Sequence, residues 1–188
     1  MFSDYKIIIM SPKTNFLISM CCILVSFQVL SRGLWNNSDE GFAANFPTAP
    51  TRVNAASSQV TGYAYQSAQN FDNGGVLYAI TVVPITLKIA KEKSTEFLVE
   101  SNATFVKSMG QSPSEAKVKW AKFGDDRKRL NYEFDFNYSG VPLKAYGFWI
   151  IDRDRAIRVS VSYTKSLASN EIREAISFLD SFFIVSKK

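Results

Sequence analysis

The sequence has no histidine in 188 residues, and its only two cysteines, Cys21 and Cys22, stand side by side inside an apolar run. The first absence excludes His-centred triads, histidine general bases and the commonest neutral metal ligand. The second leaves everything after the run without a disulfide, a cysteine nucleophile or a thiolate metal site. No G-x-S-x-G, Gly-rich phosphate loop or metal-ligand spacing occurs either. Paired carboxylates such as Glu133 and Asp135 alternate along one strand and point to solvent, whereas a glycosidase needs its acids on facing walls. An enzyme is therefore not expected, and neither are a cofactor and a metal.

Charge of one sign is also scarce. The chain carries a net +5; without residues 1–33 it keeps 19 basic and 16 acidic residues, a net +3. Nucleic-acid binding shows a larger and more clustered excess, so no nucleic acid is expected. Long apolar runs are missing too. The longest, Phe16 to Leu30, is uncharged and follows Lys6 and Lys13. As a helix it would reach about 22 Å, short of the roughly 30 Å hydrocarbon core. A basic start and a short apolar stretch make the pattern of a signal peptide. Val29 and Ser31 suit cleavage after Ser31, and Met10 offers a more typical signal start than Met1. An uncleaved signal anchor is the second reading, followed by a lipoprotein, which Met20 before Cys21 disfavours, and by a buried core helix. The expectation is export to a periplasmic, lumenal or extracellular space, with residues 16–30 either removed or holding the protein at a membrane.

What is present divides into residues 1–33 (signal or anchor), 34–40 (a polar linker) and 41–188 (one domain). Gly41 to Phe46 reads as a short strand closed by Pro47 and Pro50. Val60 to Ser67 and Gly75 to Val83 read as strands joined by an Asn73-Gly74-Gly75 turn, with Pro84 ending the pair. Phe97, Ser101, Phe105 and Met109 recur every four residues, widened by Leu98 and Val106, and predict a helix over 94–109 stopped by Gly110. Glu115–Phe123, Lys128–Tyr138, Leu143–Asp152 and Ala156–Tyr163 follow as four strands. In the second, Tyr132, Phe134, Phe136 and Tyr138 alternate with Asn131, Glu133, Asp135 and Asn137, which puts the aromatics on one face. Such strands, joined by short turns, predict an antiparallel meander with one face covered. A last helix starts at Ser169 or Asn170 as N-cap, with Glu171 at the positive end of its dipole and Ile172, Ala175, Ile176 and Leu179 on its apolar face. Residues 182–185 close the chain as an extended piece. The class is α+β: an antiparallel sheet of six to seven strands covered by helices.

The opening Gly41-Phe42-Ala43-Ala44-Asn45-Phe46-Pro47 with Pro50, and the ending Phe178-Leu179-Asp180-Ser181-Phe182, resemble the two end signatures of the PsbP-like family in the broad sense. That group includes the photosystem II extrinsic protein PsbP, the Ran-binding import factor Mog and many small exported bacterial proteins. The resemblance covers roughly residues 42–185 and implies an α/β/α sandwich around an antiparallel sheet, but no single activity. The sequence departs from the family in lacking histidines for the metal ligands of some plant members. Its apolar leader also argues against a cytosolic, Ran-type role.

Lys117, Lys119 and Lys122 on one strand, with Arg127, Lys128 and Arg129 after an Asp125-Asp126 turn, form the candidate binding surface. A shared sheet edge would suit anionic headgroups or an acidic protein. The plainer reading is a solvated edge whose lysines discourage aggregation. Asp152-Arg153-Asp154-Arg155 reads as a solvated hairpin turn. Trp149 and Trp120 are expected in the core, and Trp35 at a membrane interface if the leader stays. Asn36, Asn102 and Asn137 begin N-x-Ser/Thr triplets. The leading function is a non-enzymatic accessory or assembly protein that binds an unknown protein or membrane surface. A small-ligand or lipid carrier lined by the 132–138 aromatics is the alternative, and an enzyme of unrecognised class is third.

Overall fold

A computed structural model describes residues 34–54, 62–124 and 127–185. The leader and the Asp125-Asp126 turn lie outside the described residues. Among the described residues ten strands fall in two sheets. The larger is fully antiparallel, in the order β3 (Thr51–Asn54), β4 (Tyr63–Phe71), β5 (Gly74–Pro84), β9 (Arg155–Thr164), β8 (Val141–Asp152), β7 (Arg127–Tyr138) and β6 (Lys117–Phe123). The smaller joins β1 (Trp35–Asn37), β2 (Phe42–Ala44) and β10 (Phe183–Ile184). Helices α1 (Leu87–Glu92), α2 (Ser94–Ser108) and α3 (Ser169–Asp180) complete the α+β fold.

The meander follows the period-two pattern closely. Tyr132, Phe134 and Phe136 are buried on one face of β7, while Asp135 and Asn137 are exposed on the other. The β7–β8 turn uses Ser139 and Gly140, both at positive φ, as a two-residue hairpin needs. The expectation of one covered face fails at the centre of the sheet. On β9 Ile157, Val159 and Val161 are buried on one side, and Ala156 and Ser160 on the other. The sandwich implied by the resemblance is what forms.

Two cores result. Ala175 and Phe178 of α3 pack with Ile80, Val82, Phe148, Ile150 and Val159, joined by Phe42, Phe46 and Phe182 from the end segments. Leu98 and Val106 of α2 pack with Leu130, Tyr132, Phe134, Phe136 and Trp149 on the opposite face. The α2 stripe is thus turned by one residue from the expected one. Leu98, Asn102 and Val106 go deepest, while Phe97, Phe105 and Met109 flank them half-buried.

Other corrections have identifiable causes. Residues 34–40 are not a linker, because Trp35–Asn37 pair with Phe42–Ala44 as β1. Trp35 packs on Phe42, Phe46 and Tyr65, with ring centroids 5.9, 5.5 and 4.8 Å away. Gly74 and Gly75 lie in β5 rather than in the turn, which is Asp72-Asn73. A side chain at Gly74 would collide with Thr164, whose hydroxyl accepts the Gly75 N–H at 3.2 Å. Close approach, not turn geometry, requires that glycine. Ala168 is the N-cap of α3, and Glu171 reaches back to accept its N–H at 2.8 Å. Helix α1, capped by Thr86, was not expected; it buries no residue and so leaves no apolar stripe to read. Asn102 is buried and unavailable for glycosylation, whereas Asn36 and Asn137 are exposed.

Candidate functional site

The predicted basic residues converge on one edge of the large sheet, divided between its faces. β6 is an edge strand whose inner side pairs with β7; its outer side meets no strand among the described residues. The register sets Lys117 opposite Glu133, Lys119 opposite Asn131, Trp120 opposite Leu130 and Lys122 opposite Lys128. Lys117 and Lys119 therefore share the α3 face with Arg127 and Arg129, while Lys122 and Lys128 share the α2 face with Val118 and Trp120. Trp120 is 37 % exposed and Val118 54 %. Trp120 is not a core residue, since α2 packs on β7 and β8 and the edge strand extends past it.

Lys117 meets Glu133 only at 3.5 Å and is mostly in water. Arg127 is used internally, its Nη2 lying 3.2 Å from Asp152 Oδ1. Among the described residues no carboxylate pairs with Lys119, Lys122, Lys128 or Arg129. Arg129 stacks its guanidinium 5.0 Å from the Phe148 ring centroid, and its Nε is buried without an acceptor. Between α3 and this edge runs a groove of about 390 Å³. Phe148, Ile176 and Leu179 form its apolar lining, Lys119 and Arg129 its basic side, and Asp180 lies at the helix side.

A second charged assembly was not visible in the sequence. Asp152 and Arg155, expected in a solvated turn, are both withdrawn from water. Asp152 is 3 % exposed and takes Arg155 Nη2 at 2.9 Å as well as Arg127. Arg155 Nη1 reaches Glu40 at 3.3 Å, and Tyr63 donates its hydroxyl to Glu40 at 2.6 Å. Burial, and then the Glu40 carboxylate, holds the Tyr63 phenol well above its ordinary pKa. Of that turn's four charged residues only Arg153 and Asp154 are exposed. The pairing spans 115 positions between Glu40 and Arg155, which no local pattern reports.

Arg158, polar in the alternation of β9, lies beneath α2. Its guanidinium sits 3.7 Å from the Phe105 ring centroid and 5.4 Å from that of Trp149, and Nη2 donates to Thr81 at 3.1 Å. Burial lowers its pKa from the ordinary guanidinium value. The aromatic face of β7 is committed to packing: Phe105 sits 5.6 Å from both the Tyr132 and the Phe134 ring. On the opposite face of β7, Glu133 binds Lys144 at 2.7 Å. That hydrogen bond holds the Glu133 carboxyl below its usual range and raises Lys144. Among the described residues no cluster of Cys, Asp and Glu is placed to hold a metal ion, and no helix is long and apolar enough to cross a membrane.

Helices on both faces of a seven-stranded antiparallel sheet, closed by a small sheet from the chain's end segments, define a PsbP-like sandwich. The chain is similar to the solution structure of cyanobacterial PsbP (CyanoP) from Synechocystis sp. PCC 6803, with a TM-score of 0.51. Identity is 12 %, and the match covers 85 % of this chain and 95 % of that one. No protein-family model and no curated protein sequence matches the chain. The likeness is one of fold.

Proposed function

We propose that this is a non-enzymatic accessory or assembly protein of an exported compartment, which binds an acidic surface through the β6 edge. One observation carries the reading: the edge cations Lys119, Lys122, Lys128 and Arg129 have no carboxylate partner among the described residues, while the cations a few residues away are answered inside the fold. An apolar groove beside Lys119 and Arg129 supplies contact area next to the charge. A PsbP-like sandwich with neither histidine nor cysteine after the leader fits a binding role better than a reaction of its own. Export rests on the Phe16–Leu30 segment, and mass spectrometry of the mature N-terminus tests it directly. For the binding role, the triple variant Lys119→Glu, Lys122→Glu, Lys128→Glu is compared with wild type in capture of partners from a membrane fraction. Loss of capture, and salt-sensitive capture by the wild type, are expected. Equal capture by both proteins sinks the reading.

A further inference from the structure

We propose that the β6 edge takes up an extended acidic segment of a partner protein as an eighth strand of the large sheet. This rests on the β6 edge being the working surface, and adds what the partner must look like. Three features of the strand carry it. First, β6 has seven residues and an outer side unpaired among the described residues, whereas the opposite edge, β3, has four. Natural sheets blunt their edges by shortness, and only β3 is short in this way. Second, the unmet groups along β6 are peptide N–H and C=O, at a spacing that another peptide chain reproduces and a lipid headgroup does not. Third, the side chains alternate in chemistry with the pleat. Lys117 and Lys119 project on the α3 face, Val118, Trp120 and Lys122 on the α2 face, and all five are exposed.

An added strand places its own side chains beside these at the same period of two. The matching segment carries acids on the α3 side, against Lys117 and Lys119. On the α2 side it carries apolar or aromatic residues against Val118 and Trp120, with an acid near Lys122. A second copy of this chain does not fit, since each β6 brings three lysines and no acid to the junction. The lysines thus serve two ends. They reject self-pairing and select a strand of opposite charge.

The test uses the purified protein and a synthetic nine-residue peptide alternating Glu with Val or Thr. Two further versions carry N-methyl groups on either the odd or the even residues. N-methylation keeps every charge but removes the N–H groups along one edge of an extended chain. Binding is followed by Trp fluorescence, and backbone amide exchange is read at residues 117–123. Strand addition predicts that the unmodified peptide binds and slows exchange along 117–123, and that at least one methylated version binds about tenfold more weakly, the loss expected when backbone donors are deleted. Lys119→Glu should weaken the unmodified peptide about threefold, as for an exposed ion pair. Equal binding of all three peptides overturns the inference while leaving a charge-driven surface in place. Binding of anionic phosphatidylserine vesicles with no binding of any peptide also overturns it, and assigns the edge to a membrane. Failure of peptide and vesicles alike overturns both this inference and the proposed function.

Discussion

Arg127 and Arg129 are two residues apart on one strand and face the same side of the sheet, yet the fold treats them differently. Arg127 is drawn into a cluster with Asp152, Arg155 and Glu40, in which each charge has an opposite charge within 3.3 Å. Arg129, Lys119, Lys122 and Lys128 have no such partner among the described residues, and Arg129 rests on the ring of Phe148 instead. The first group ties segments far apart in sequence, from Glu40 to Arg155, and its removal leaves buried charge behind. The three lysines of the second group contribute little to holding the chain, because long exposed side chains without partners stabilise little. A cation the fold answers is a strut; one it leaves unanswered is available to something else. That difference separates Arg127 from the rest of a basic run that looks uniform as sequence.

The strongest way to break this comparison is at Asp152. Asp152→Ala leaves Arg127 without its carboxylate and Arg155 with Glu40 alone, and should cost about 3 kcal/mol in urea denaturation, the scale seen when one partner of a buried pair is removed. A loss under about 1 kcal/mol would mean the cluster is no strut. Next in size, Arg127→Ala should cost about 1 kcal/mol, while Lys119→Ala leaves the denaturation midpoint unmoved and reduces partner capture. Equal midpoint shifts for the two would erase the distinction. The smallest effect concerns Glu133, which lies beyond the unanswered cations, opposite Lys117. Its carboxyl is held below the usual range by Lys144, so the pair stabilises the fold above the ordinary glutamate pKa, and that contribution is lost as pH falls through the lowered value. Carbon-detected NMR titration should place Glu133 below a normal glutamate, and Lys144→Ala should move it back up. A normal value in the wild type would remove Glu133–Lys144 from the answered pairs.

Much of the architecture was legible. Strand period two over residues 115–163 located four strands and the two faces of β7, because alternate aromatics against Asn, Glu and Asp leave one orientation possible. The end signatures were legible as motifs, and the structure gives them a reason: Phe46 meets Phe178 at 4.8 Å between centroids, and Phe42 meets Phe182 at 5.7 Å. Period reports which residues share a face, but not where a helix ends its cover. Trp120 was therefore expected inside, although it is exposed on the α2 face. Trp35 and Glu40 looked like linker because their neighbours are polar and their partners lie far along the chain. Of the candidate site, the residues were legible and the division between faces follows from the strand register. The loss of Arg127 to Asp152 could not be read, since Asp152 appears in sequence as one of four alternating turn charges.

The small sheet β1–β2–β10 has a consequence in time. Phe183 and Ile184 pair with Ala43 and Phe42, and the Val185 N–H donates to the Gly41 carbonyl at 2.8 Å. Among the described residues, the last contacts thus complete the first ones, across most of the domain. Closing so long a loop is slow and is rewarded only when both ends are present. A chain emerging from a ribosome holds Phe42 and Phe46 without Phe178, Phe182 and β10 until residues 178–184 arrive. Until then the apolar surface around Phe42 and Phe46 is open to chaperones and to its own neighbours.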